Sequence, residues 1–179
     1  ELRKAFNKQF KVKQELQIFE SSTTDLEMGD IAAVLQHSFA QQAISRDISG
    51  QGESLSDVLQ TIQNNDLWDV YTRQKIEKVE SIVRTLSFEE KSGHYQGNSA
   101  EAAKFLMESH QSLRSDQKKG KSLISEAIVR QGTVLQELEK AIGMLSEWED
   151  FNEVVRDIEE MIELQKKISP RLQKLIEKK

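Results

Sequence analysis

"SLISEAIVRQGTVLQELEKAIGMLSEW", residues 122–148, carries Ile124, Ile128, Val134, Leu135, Leu138, Ile142, Leu145 and Trp148 at steps of three and four residues. That rhythm belongs to an α-helix with one apolar face, because side chains at i, i+3, i+4 and i+7 share one side of a 3.6-residue turn. A half-buried strand demands alternation instead, and no alternating run of useful length occurs here or elsewhere in the chain. Gly132 and Gly143 interrupt the stretch. Each costs about 1 kcal/mol relative to alanine in a helix interior, too little to overrule so long a pattern. Ordering the backbone costs more than such a stripe returns on its own, so the stripe has to lie against other helices.

Working outward, Phe151, Val154, Ile158, Met161, Ile162 and Ile168 prolong the rhythm after a bend expected at Glu149-Asp150. Ser169-Pro170 reads as the start of a short final helix with Leu172, Leu175 and Ile176, since proline suits a first turn. Upstream, Ala102, Phe105, Leu106 and Leu113 share a face of a helix over 99–118, and Asn98 and Glu101 have the spacing of a capping box. "KSGHYQGNS" (91–99) separates it from a helix over 66–90, capped by Asp66 and striped by Leu67, Trp68, Tyr71, Ile76, Val79, Ile82, Val83 and Leu86. "RDISGQGES" (46–54), with Gly50 and Gly52, reads as the clearest loop of the first half, followed by a short helix with Val58, Leu59 and Ile62. Before it lie helices over 31–44 (Ile31, Leu35, Phe39) and 2–19 (Leu2, Phe6, Phe10, Leu16, Phe19), parted by "SSTTD" at 21–25. The three phenylalanines of the first helix are expected to be buried against the bundle.

The composition agrees. Proline occurs once in 179 residues, and straight-chain residues that lose little rotamer freedom in a helix are frequent. The fold class expected is all-α: an elongated antiparallel bundle of three to four long helices with shorter N-terminal helices and no sheet. The chain is read as a single domain over 1–179, with an N-terminal subdomain at 1–48 packing on a main bundle at 53–179. The net charge of −5 argues against nucleic acid as a partner, and no apolar run approaches the ~20 residues of a membrane-spanning helix. The absence of cysteine removes thiol chemistry and disulfides. The chain opens at Glu1 rather than Met, which suits either a mature or an excised fragment and leaves secretion open.

Candidate chemistry is sparse. Gly120-Lys121-Ser122 spells the tail of a phosphate-binding loop, but Ser115 stands where that loop needs its first glycine and the preceding residues read as helix. A turn explains it instead, with Gly120 as the break and Ser122 as the cap of the next helix. His37, His94 and His110 are far apart, and none has the glutamate three positions earlier that helical di-metal sites use. His94, beside Tyr95 in the glycine-rich break, is the histidine of most functional interest. "EWEDFNEVVRDIEEMIE" (147–163) reads as a solvated acidic face, and Trp68, Tyr71 and Trp148 as core packing. No catalytic, cofactor or metal residue is assigned, and no cofactor.

The function expected is a non-enzymatic helical interaction or scaffold module, docking a partner protein or a second copy through an apolar helix face. The alternative is a ligand-sensing extracytoplasmic bundle of a receptor-like protein. That reading requires a pocket between helices with a few convergent polar groups.

Overall fold

The computed structural model describes residues 1–21, 28–64, 70–89 and 93–176, with side chains at all of these positions except 62, 71, 89, 148–160 and 162–176. The order of elements is α1 (Leu2–Ser21), α2 (Met28–Asn64), α3 (Val70–Leu86), β1 (Phe88–Glu89), β2 (Tyr95–Gln96), α4 (Asn98–Ser112) and α5 (Gln117–Ile176). The protein is all-α. The two short strands pair antiparallel, Phe88 with Gln96 and Glu89 with Tyr95, and close the break between α3 and α4 without forming a layer. The chain divides into two compact units, Glu1–Gly143 and Met144–Lys179.

In the first unit, buried positions recur at alternating steps of three and four on every helix. On α1 they are Leu2, Ala5, Gln9, Val12 and Leu16. On α2 they include Ile31, Val34, Ser38, Gln41, Ser45, Ile48 and Gly52. α4 contributes Ser99, Ala102, Leu106, Ser109 and Leu113, and α5 contributes Gly120, Ile124, Ala127, Gln131, Val134, Leu138 and Ala141. This spacing keeps one seam of each helix facing its neighbours, the geometry of side chains interdigitating between nearly antiparallel helices.

Specific contacts set the arrangement. α1 runs antiparallel to α2, since Lys8 meets Asp47 while Glu15 meets His37. α2 runs antiparallel to α4, through Ser38 with Ala103 and Ile31 with His110. α4 and α5 are antiparallel through Ser109 with Gly120 and Asn98 with Arg130. α5 returns to α1, where Ser125 bonds Glu20 and the Lys13 ammonium lies over Gly132. The four corners of the bundle are therefore α1, α2, α4 and α5 in order, with α2 and α5 facing across a diagonal. α3 pairs antiparallel with the second half of α2, Ser56 bonding Glu80 and Val83 covering the buried Gly52. Its own seam is Ile76, Val79, Val83 and Leu86.

Several sequence expectations change here. The loop at 46–54 is helix, and residues 48 and 53, the suggested subdomain limits, lie inside α2. Ile44 and Ile48 on one side and the α3 contact at Gly52 on the other hold the segment in register, which outweighs the glycine cost. No new helix starts at Pro170: α5 is one helix to Ile176. α1 is rotated from the expected phase. Gln9 and Val12 are inside, whereas Phe10 is 47% exposed and stacks on Phe6 with ring centroids 6.4 Å apart. The stripe of Ile124, Val134 and Leu138 is buried as expected.

Two glycines are required by close approach. Gly97 caps α4 at φ 102°, and a Cβ there would sit 2.6 Å from the Leu86 carbonyl oxygen. Gly120 lies under the Leu113 side chain, where a Cβ would meet Cδ2 at 2.4 Å.

Candidate functional site

The residues singled out in the sequence do not assemble into a reaction centre. α4, not a strand, precedes Gly120-Lys121-Ser122, which lies within α5. The turn is earlier than expected, at residues 113–116. Asp116 rather than Ser122 caps α5, its Oδ1 accepting the Lys119 N–H at 3.0 Å. Gly120 is there for Leu113, not for a helix break. The capping box at Asn98 is also replaced: Gly97 is the cap, while Asn98 and Glu101 both turn to Arg130, at 3.3 and 3.1 Å.

The three histidines are separate. His37 sits in the α1–α2 interface with Nδ1 3.6 Å from Glu15 Oε2, and burial holds its pKa below the usual imidazole value against the pull of that carboxylate. The His110 ring is 3.0 Å from the Ile31 carbonyl oxygen. His94 lines a surface cleft. Among the described residues no three histidine or carboxylate side chains converge as a metal site would require. Trp68 lies outside the described residues. So do the side chains of Tyr71 and Trp148 and all of the 147–163 acidic run except Glu147 and Met161.

Two features that sequence reading missed stand out. The first is a polar layer across the middle of the bundle core. Gln41 is its hub: its Oε1 accepts from Gln9 Nε2 and Gln131 Nε2, each at 2.9 Å. Its Nε2 donates to Gln9 Oε1 at 2.6 Å and to Ser99 Oγ at 2.9 Å. Ser45 completes the layer, donating to the Gln41 carbonyl at 3.0 Å and lying 2.8 Å from Ser99 Oγ. All five side chains are buried, and Gln131 Oε1 has no partner among the described residues. Such a network rigidifies the core where satisfied and is costly where it is not.

The second feature is a cleft of about 560 Å³ on the α2–α4 face, roofed at one end by the hairpin. α2 lines it with Gln42, Ser45 and Arg46, α4 with Ala100, Ala103, Lys104, Met107 and Glu108, and the hairpin with Gly93, His94 and Tyr95. Ala100, Ala103 and Met107 make an apolar floor. Ser45 belongs both to the cleft wall and to the buried layer, so the core network holds one side of the cleft in place. The electrostatics are uneven. Lys104 and Glu108 lie one turn apart on α4 with their charged atoms 3.9 Å apart. Arg46 is exposed and has no ion pair among the described residues. It is near the first turn of α4, whose free N–H groups carry the positive end of the helix dipole.

The α2 residues lie more than forty positions before those of the hairpin and α4, and no local motif marks them. The core glutamines were legible in principle, since each falls on the three-four rhythm of its helix. No protein-family model matches the chain, and no curated protein and no solved structure is significantly similar to it.

Proposed function

We propose that the protein is a non-enzymatic helical binding module that docks a segment of a partner protein in the cleft between α2, α4 and the hairpin. The observation that carries this reading is the cleft itself: an apolar floor ringed by convergent polar groups, the usual construction of a recognition site. Ser45, the serine of its lining, bonds the Gln41 carbonyl and lies against Ser99 rather than beside a base that would activate it. The apolar seam of α5 from Ile124 to Leu138 is buried against the chain's own helices and offers no face to a partner. The exposed large apolar side chains Ile18, Val70 and Val129 sit on three different helices, α1, α3 and α5.

Site-specific photo-cross-linking tests the proposal. A benzophenone amino acid at Met107, in the cleft, is expected to capture a discrete partner from native extract, and the same group at exposed Lys140 is not. Equal labelling from both positions, or none from Met107, refutes a cleft-centred partner site. A second reading rests on the cleft volume, which also falls in the range of small-molecule pockets. It places a ligand-sensing role at the same residues and predicts thermal stabilisation by a small molecule that the cleft-blocking variant Ala103→Trp abolishes.

A further inference from the structure

The charge distribution in the cleft specifies the chemistry of its occupant. We infer that the cleft selects an acidic peptide segment, seating an apolar side chain on the Ala100–Ala103–Met107 floor and presenting a carboxylate to Arg46. This rests on the reading of the cleft as a protein-docking site.

Three observations carry it. Arg46 is a guanidinium with no ion pair among the described residues, unlike Arg73, Arg84 and Arg130, which pair with Glu77, Glu80 and Glu101. An unpaired guanidinium offers a planar fork of donors that fits a carboxylate through two parallel bonds. Among the described residues the one acidic group of the lining is Glu108, which lies two helical turns from Ala100 and is offset by Lys104, so it does not compensate Arg46. Finally, Arg46, His94 and Lys104 of the lining are exposed, so the cleft opens to solvent. An open trough admits a continuous chain, whereas a small ligand gains affinity from being enclosed. At about 560 Å³ it takes a few residues, enough for one apolar anchor and its acidic neighbour.

The test is selection from a library of random hexapeptides displayed against the whole protein, followed by mapping of the winners by backbone amide NMR. Expected are sequences combining Asp or Glu with an apolar residue, shifting the amides of Arg46, His94 and Met107. Their affinity should fall at least about tenfold in Arg46→Gln, as for loss of a charge-assisted bond, and decline with added salt. Arg46→Lys should keep the charge but only part of the affinity. Arg46 is exposed and unpaired, so its replacement should leave the thermal transition unchanged, which separates lost recognition from lost folding. If the winners map to the cleft but lack acidic residues, or bind Arg46→Gln equally well, the acidic specificity is overturned while the docking site stands. If no peptide is enriched, or the winners map elsewhere, both readings fall.

Discussion

Replacing Gln41 by methionine should destabilise the protein far more than the same change at Gln131, although both are fully buried glutamines on the same layer. Gln41 takes part in four side-chain bonds, and its removal strands both ends of the Gln9 amide and the donor of Gln131. Ser99 keeps Ser45 as a partner. Each stranded buried group costs about 1–3 kcal/mol, so the single change should cost roughly 3–6 kcal/mol after methionine's gain in apolar burial. Gln131 makes one bond and already carries a carbonyl oxygen with no partner among the described residues. Gln131→Met gives up the first and relieves the second, for a net change within about 1 kcal/mol. Replacing all three glutamines together by leucine or methionine leaves nothing stranded and should recover most of the Gln41→Met loss. Urea titrations followed by helical circular dichroism measure this. With a slope of ~2 kcal/mol per molar, the Gln41→Met midpoint should drop by ~1.5–3 M. Equal midpoints for the two single variants, or a triple variant no more stable than Gln41→Met, would refute the hub assignment.

Other expectations concern the fold. Gly120→Ala and Gly97→Ala should each destabilise by ~1–3 kcal/mol, because a methyl group meets Leu113 in one case and the Leu86 carbonyl oxygen at a left-handed φ in the other. Gly50→Ala, in helix with open space around it, should stabilise by ~0.5–1 kcal/mol; a loss there would contradict a continuous α2. Leu138→Asp, at a fully buried seam position, should unfold the bundle or cost more than ~4 kcal/mol. Lys140→Asp, which loses only an exposed contact with Glu137, should cost under ~1 kcal/mol by the same titration. His37 binds its proton less readily in the folded chain than in the unfolded one. Stability should therefore be full above pH 6.5, its ordinary value, and decline as acidification protonates the unfolded chain first. Midpoints compared at pH 7.5 and 5.5 should show a smaller decline in His37→Phe.

Helical class was readable because period alone determines it: Ile124, Val134 and Leu138 announce their face without any tertiary information. Helix limits were less readable where local and long-range terms disagree. Gly50 and Gly52 favour a break, and only the packing of Ile48 and Val83 on either side shows that α2 continues. The phase of α1 misled because aromatic size was taken as burial. Phe6 and Phe10 shelter each other at the surface, while the hydrogen bonds of Gln9 draw that polar side chain inward. The cleft was beyond reach for a different reason. Arg46, His94 and Lys104 become neighbours only when α2 and α4 align and the hairpin folds over them.

The closed ring of corners has a consequence for how the chain comes together during synthesis. α1 and α2 emerge early and find each other, and the Gln9 amide is matched by Gln41 at that stage. The other flank of α1 waits for residues 125 and 132, more than a hundred positions later. Until then the buried seam of α1, from Leu2 to Leu16, is covered on one side only. That flank of α1 stays uncovered until α5 has been made.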